Sequence, residues 1–346
     1  MRAELLGVEG PRWAAFLQET PHDFYHLPAY VALCARQEAG EPRALLVEGG
    51  GARLLLPLII RGIPGSDKTD ATSPYGYPGP LVGGTADPTF PREALVVGVT
   101  ALRRIGVVST FVRLHPLLNP WPLEGIGTVV EHGQTVSIDL TLPEDTLWAQ
   151  MRLNHRRDIR RALQLGYVAR MDESFDAYRS FGRLYRLTME RRAASPYYFF
   201  DDAYFDGLRD ALGGRLHLCV VEKGGAIAAA GLFVETDGIV QYHLSGTDGA
   251  FTDMRPTKLM MQHVGGWARQ RGNRCLHLGG GVGGANDSLF RFKEGFSPLR
   301  HPFRTMRVVV DELSYRRLVA ARDPVLDPEE RDGFFPTYRR EAEAAR

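Results

Sequence analysis

Apolar residues along this chain come in short runs that break at glycine pairs. Leu46-Val47-Glu48-Gly49-Gly50-Gly51-Ala52 and Val220-Val221-Glu222-Lys223-Gly224-Gly225-Ala226 share one form. In each, an apolar run meets a glycine-rich turn and a second apolar run follows. Glycine supplies the positive φ that tight hairpin turns need, so both segments predict β-hairpins. They lie about half the chain apart, which fits either a common turn used twice or a duplicated domain. From the second hairpin onward the pattern predicts strands over residues 216–222, 226–235 and 239–245. A loop over 246–255 leads to Pro256, which suits the first turn of a helix. That helix spans 257–271 and stops at Gly272. A last strand covers 275–278 and runs into Gly279-Gly280-Gly281.

Helical spacing dominates the middle of the chain. Thr141-Leu142-Pro143-Glu144 fits a capping box, and Leu147, Trp148 and Met151 then recur at helical intervals. A second helix is predicted over 154–166. Ile159, Ala162 and Leu163 share one side of it, and Arg156, Arg157, Arg160 and Arg161 share the other. A third, over 183–192, carries Leu184, Leu187 and Thr188 on one face, and the run Tyr197-Tyr198-Phe199-Phe200 follows. Residues 328–346 are charged and read as a C-terminal helix. Mixed strands and helices of this kind predict an α/β (α+β) protein.

With 346 residues and 44% hydrophobic content the chain can bury a sizeable core and fits two domains. A formal net charge of +1 argues against a nucleic-acid coat protein or an acidic-tail protein. Cys34, Cys219 and Cys275 lie far apart without a CxxC pair, which argues against a disulfide scaffold or zinc knuckle and suits a reducing compartment. No apolar run follows basic residues at the N-terminus, and the stretch 54–60 is too short to span a bilayer. The expectation is a soluble, cytoplasmic protein with no transmembrane segment, with peripheral membrane contact left open.

Several residues could carry chemistry. The four arginines at 156, 157, 160 and 161 form either an anion site for phosphates or an RNA backbone, or a solvated helix face. Ser73 to Pro80 is an aromatic turn whose Tyr75 and Tyr77 either line a groove for a sugar or peptide or pack on their own domain. Strand alternation sends Tyr242 and Leu244 to one face and His243 to the other. His243 is then a candidate general base, or a histidine simply hydrogen-bonded in place. Gly280 and Gly281 could bring backbone amides to a carbonyl oxygen or phosphate, or form a flexible turn. Neither a Gly-x-Ser-x-Gly elbow nor a His-Glu-x-x-His motif is present, so metal catalysis has no support. Lysine is scarce: only Lys68, Lys223, Lys258 and Lys293 occur, against abundant arginine. Lys293, between Phe292 and Glu294, offers a compact point charge where arginine would offer a flat fork.

The strand and glycine run ending at Gly281, together with Phe292-Lys293-Glu294-Gly295-Phe296, resembles the FemABX family of non-ribosomal peptidyl transferases and the related GNAT acyltransferases. Ser73 to Pro80, the basic helix, Tyr185 to Arg192 and Tyr242 to Thr247 fit the same pattern, over roughly residues 24–315. The resemblance implies two tandem GNAT-like domains, each a mixed, mostly antiparallel sheet flanked by helices. The first would span 1–150, with 312–346 returning to it. The second, 151–311, would carry the transfer site. The implied activity is transfer of an aminoacyl or acyl group from an activated ester or thioester to an amine acceptor in cell-wall (peptidoglycan) precursor biosynthesis. Phe292 and Lys293 would sit at the reaction centre, with Lys293 as a fixed positive charge on the developing oxyanion. Arg183, Arg186, Tyr185 and Tyr242 are the candidates for a precursor diphosphate. No resident cofactor is implied. Coenzyme-A-using relatives place Arg/Gln-x-x-Gly-x-Gly/Ala before the long helix, where amides grip a pyrophosphate. Residues 247–256 lack that pattern, which favours aminoacyl-tRNA over acetyl- or acyl-coenzyme A as donor. The long helical hairpin often inserted in FemABX proteins is also missing. The alternatives are a coenzyme-A-dependent N-acyltransferase and a catalytically silent GNAT-like binding module.

Overall fold

A computed structural model describes residues 1–85, 87–121, 123, 125–323, 325, 327 and 333–340. The chain divides into two units, Met1–His132 with Pro302–Arg346, and Gly133–His301. The division falls earlier than the expected residue 150 and, on the return, earlier than 311. In chain order the first unit begins with β1 (Arg2–Leu6), α1 (Pro11–Glu19), α2 (Pro28–Gln37), β2 (Gly40–Gly49) and β3 (Ala52–Gly62). β4 (Thr69–Thr72), β5 (Leu81–Gly84), α3 (Phe90–Arg104) and β6 (Val107–Arg113) follow. β7 (Thr128–Asp139) carries the chain into the second unit. There lie α4 (Glu144–Gln150), α5 (Leu153–Gln164), β8 (Val168–Met171), α6 (Tyr178–Arg191) and α7 (Asp202–Leu212). β9 (Leu216–Lys223), β10 (Ala226–Thr236), β11 (Ile239–Thr247), α8 (Thr257–Gln270), β12 (Cys275–Gly279) and α9 (Ser288–Lys293) complete it. β13 (Arg300–Val309) returns the chain to the first unit, which ends with α10 (Glu312–Arg322).

Both units share one order, a Gly-Gly hairpin, a third strand, a helix, and a strand parallel to the third, with β5 inserted before the helix in the first unit. In the first unit the hairpin is β2–β3 and the parallel pair is β4 with β6. In the second it is β9–β10, and β11 runs parallel to β12. Among the described residues the other pairings within each unit are antiparallel, in the orders β1-β2-β3-β4-β6-β13, with β5 beside β3, and β7-β12-β11-β10-β9-β8. The hairpin turns Gly50-Gly51 and Gly224-Gly225 all have positive φ, the conformation that singled them out in the sequence. Each unit is thus a mostly antiparallel sheet flanked by helices.

Leu45, Leu54, Leu56, Ala94, Leu95 and Val112 belong to the core of the first unit. Its C-terminal segment is tied down by Asp70, which is fully buried. Asp70 accepts from Arg61 Nε at 2.9 Å, from Tyr338 Oη at 3.2 Å and from Arg339. In the second unit α8 packs Met260, Met261 and Val264 against Cys219, Val221, Ala229 and Phe233. α6 lies on the opposite face. A Cβ on Gly246 would come within 2.3 Å of the Leu184 carbonyl carbon, so only glycine lets the α6 backbone approach β11 there.

Three local expectations are corrected. Thr141 does not cap α4: its hydroxyl bonds Asp139, and Pro143 is the N-cap without a side-chain bond. Leu163 is 53% exposed rather than buried beside Ile159 and Ala162. α6 begins at Tyr178, five residues before the predicted start, because Phe175 to Ala177 reverse the chain under the Asp172 carboxylate, which accepts from the Ala177 amide. Most of the predicted C-terminal helix lies outside the described residues. Residues 333–340 hold only the 3-10 turn Thr337–Arg339.

Candidate functional site

β11 and β12 pair in parallel only from Ile239–Cys275 to Gln241–His277. β11 continues to Thr247, whereas β12 ends at Gly279, whose φ of +75° turns the chain away. Tyr242 is the first β11 residue past the pairing. The chain from β12 then folds back through Gly280 and Gly281 into α9, which Asp287 starts. Its carboxylate accepts the Phe290 amide at 2.8 Å and the Val282 amide at 3.1 Å. Burial works to raise the Asp287 pKa, but the amides of Phe290, Val282 and Leu289 and the charge of Lys293 hold it below the usual carboxylate range.

Lys293 closes α9 and sends its ammonium back to where the strands part. The side chain is buried, with the residue 8% exposed. Nζ donates to the Gly280 carbonyl at 2.7 Å and lies 5.7 Å from the centre of the Tyr242 ring. Burial lowers its pKa from 10.5 to about 7, against the opposing charge of Asp287. It is the carbonyl of Gly280, not its amide, that meets the functional group. The glycines are needed for packing. A Cβ on Gly281 would sit 2.0 Å from the Ala285 oxygen, and one on Gly280 would sit 2.8 Å from the Gln134 oxygen. Tyr242 stacks on Phe233 at 5.5 Å and shares a short hydrogen bond with the Ser245 hydroxyl. Burial raises its pKa, against that hydrogen bond and the charge of Arg192. Arg192 reaches Ser288 Oγ at 3.4 Å, so the end of α6 meets the start of α9.

The other side of α9 is held by α5. His155 is buried, and its Nε2 donates to the Phe292 carbonyl at 2.9 Å. Its ring packs edge-on against Phe296 at 4.6 Å and lies 5.9 Å from Phe292. A Cβ on Gly295 would fall 2.4 Å from that ring, and the Gly295 carbonyl accepts the Arg152 amide at 2.8 Å. The Phe-Lys-Glu-Gly-Phe run is therefore a docking surface for α5, with Glu294 also paired to Arg152 at 2.7 Å. Phe292 packs and positions, and Lys293 is the member of the pair that points to the gap. Burial lowers the pKa of His155 to about 4, so the ring is neutral near pH 7.

The remaining expected residues are scattered. His243 is the extra residue of a β-bulge: Leu232 faces Leu244 while Phe233 faces Tyr242. The bulge interrupts the strict alternation that set His243 opposite Tyr242 and Leu244. Tyr185 is a core residue, 2% exposed, stacked on Phe200, with its hydroxyl on the Tyr198 carbonyl. Arg186 is paired with Asp202 at 2.8 Å and Arg183 is exposed, so neither joins Lys293. Tyr75 and Tyr77 belong to the first unit. There Tyr30 donates to the Tyr75 carbonyl, and Tyr77 lies edge-on to Tyr25 and Phe303. Of the arginine face, Arg157 meets Asp158 and Arg160 covers Trp148, while Arg161 is exposed. The Arg156 Nε is buried without a hydrogen-bond partner among the described residues. Asp287, Arg192, Ser245 and Ser288 were not singled out from sequence. Asp287 had a legible signal, an Asp-Ser start before Leu289 and Phe290. Among the described residues no group of three or more His, Cys, Asp or Glu could hold a metal ion.

Residues 149–294 match the family model of the acetyltransferase (GNAT) domain. The second unit is thus a GNAT acyltransferase domain, and the matched region contains Tyr242, Gly280 and Lys293. Among solved structures, FemX superposes with a TM-score of 0.69 at 14% identity, over 92% of this chain and 99% of that one. L-PGS from Bacillus licheniformis gives 0.54 at 15% identity, over 88% and 94%. A conserved protein of unknown function from Bacteroides thetaiotaomicron gives 0.55 at 11%, over 88% and 98%. These likenesses show the fold that the chain shares with them. No curated protein sequence matches the chain.

Proposed function

We propose that this protein transfers an aminoacyl or acyl group from an activated ester or thioester to an amine acceptor, with Lys293 at the reaction centre. The observation that carries this reading is the position of Lys293. Its buried amine sits at the parting of β11 and β12 in a GNAT domain, and among the described residues no carboxylate is bonded to it. The acceptor amine attacks the donor carbonyl, the new C–N bond forms, and the C–O or C–S bond breaks. The amine loses a proton and the departing oxygen or sulfur gains one. With a pKa near 7, Lys293 can give that proton to the leaving group as well as stabilise negative charge. Tyr242 covers the amine and excludes water from it. Phe292 and His155 fix the end of α9.

The geometry before α8 bears on the donor. The amides of Thr247, Ala250, Phe251, Arg255 and Lys258 are donated to Thr188, Asp248, Asp248, Thr252 and Arg255. Pro256 has no amide. Few donors remain there for a pyrophosphate. We therefore favour aminoacyl-tRNA and an amine on a cell-wall precursor, a reaction we place in the cytoplasm, where such donors are made. The GNAT domain match supports coenzyme-A-dependent N-acylation as the second reading. Titration with charged tRNA in one series and acetyl-coenzyme A in the other separates them, followed by turnover with Lys293→Met. Binding of charged tRNA in preference to uncharged tRNA, with turnover lost in the variant, supports the first reading. Saturable coenzyme A binding replaces it with the second. Turnover at the wild-type rate in Lys293→Met refutes the mechanism under either donor.

A further inference from the structure

α5 is buried on one side through His155, Ile159 and Ala162. Its outer side has an unusual composition for a solvated helix. Leu153 is 72% exposed, Leu163 53% and Leu165, just past the end, 44%. Between them stand Arg157, Arg160 and Arg161, all exposed. The one carboxylate on the helix, Asp158, binds Lys258 at 2.7 Å and Arg255 at 3.2 Å and meets Arg157 at 3.4 Å. Among the described residues neither Arg160 nor Arg161 has an ion pair. The face is therefore positive, uncompensated at Arg160 and Arg161, and flanked by leucines outside the core cluster. A nucleic-acid backbone would account for the arginines but not for the leucines, since single strands are gripped by arginines and stacked aromatic rings. A lipid surface accounts for both. Arginines meet anionic headgroups and the aliphatic side chains enter the acyl boundary.

We propose that the outer face of α5 docks on an anionic lipid surface. Its inner side holds α9 through His155 and Arg152, so docking would keep the Lys293 helix about one helix diameter, ~10 Å, from the headgroups. The inference does not depend on the reaction catalysed.

The test is flotation of the full chain with phosphatidylglycerol-containing vesicles and with phosphatidylcholine vesicles, over a salt series, with single-stranded RNA in a parallel binding assay. The expected result is binding to the anionic vesicles alone, weakening as salt rises. Each arginine near the surface is worth about fivefold, so Arg160→Gln with Arg161→Gln lowers partitioning about 25-fold. Leu153→Ser with Leu163→Ser also weakens binding but leaves its salt dependence unchanged. All four positions are exposed, so thermal unfolding should match the wild type and any loss is one of docking. Failure to bind anionic vesicles overturns the proposal, as does equal binding to both lipids. RNA binding lost in the arginine pair, with vesicle binding untouched, overturns it in favour of a nucleic-acid face.

Discussion

Replacing Lys293 with methionine should make the protein more stable and inactive, and the stability gain should depend on pH in a specified way. Methionine keeps the length of the side chain and removes the charge. In the folded chain burial lowers the lysine pKa to about 7, against 10.5 for an ordinary lysine. At 1.36 kcal/mol per pKa unit the protonated form costs the fold roughly 5 kcal/mol. Below about pH 7 folded and unfolded chains both carry the proton, and the full cost stands. Between about pH 7 and 10.5 the unfolded chain holds a proton that the folded chain has released. This group then makes stability rise with pH by about 1.4 kcal/mol per pH unit. Above 10.5 both are neutral and the cost is gone. The variant removes the cost but leaves the Gly280 carbonyl without its donor, a loss of about 1–3 kcal/mol. Lys293→Met should thus be more stable by about 2–4 kcal/mol below pH 7, lose that lead as pH climbs towards 10.5, and fall behind above it. Urea unfolding of both proteins across that range measures the difference. A difference that does not change with pH would refute the argument that burial of this amine sets its pKa.

Lys258→Met should have the opposite sign: it removes a 2.7 Å bond to Asp158 and should destabilise by about 2 kcal/mol in urea unfolding near pH 7. Asp70→Ala leaves Arg61, Tyr338 and Arg339 without their shared acceptor, and should cost about 3–5 kcal/mol and expose residues 333–340 to limited proteolysis. Gly246→Ala sets a Cβ 2.3 Å from the Leu184 carbonyl carbon, so α6 must shift, and its melting temperature should fall by an amount equivalent to about 1–3 kcal/mol. His155 is neutral in the fold with a pKa of about 4 against 6.5. Between those values only the unfolded chain gains the proton, so stability should fall with acidification by up to about 3 kcal/mol, and His155→Gln should flatten that slope in acid titration.

Hairpins were the most legible part of the chain, because a Gly-Gly turn between apolar runs allows one backbone geometry. Gly50-Gly51 and Gly224-Gly225 take it, and they open the same element order in each unit. Lys293 was legible by rarity: in an arginine-rich chain a lone lysine among phenylalanines implies a constraint on size. What stayed hidden depended on neighbours remote in sequence. Tyr185 reads as an aromatic beside arginines, and only packing with Phe200 and Phe205 reveals a core residue. The bulge at His243 leaves no mark in the local pattern, yet it breaks the alternation from which a side-chain direction is read. The glycines at 280 and 281 read as amide donors or as a flexible turn, whereas Gln134 and Ala285 explain them as close contacts of backbone with backbone.

The two buried lysines show why burial alone does not mark a reaction centre. Lys258 and Lys293 are 3% and 8% exposed, and burial is the largest influence on both, lowering each pKa. Their partners differ. Lys258 bonds a carboxylate that also binds Arg255, so its charge is compensated and it fastens α8 to α5. Among the described residues Lys293 bonds only a neutral carbonyl and faces an aromatic ring, with Asp287 acting on it through charge and not through a bond. A carboxylate bonded to a buried ammonium offsets part of its burial cost. An uncompensated ammonium costs the fold stability and can exchange its proton near neutral pH. The chain keeps that cost where β11 and β12 separate, and on this ground we propose Lys293, rather than Lys258 or the more numerous arginines, as the centre of the transfer reaction.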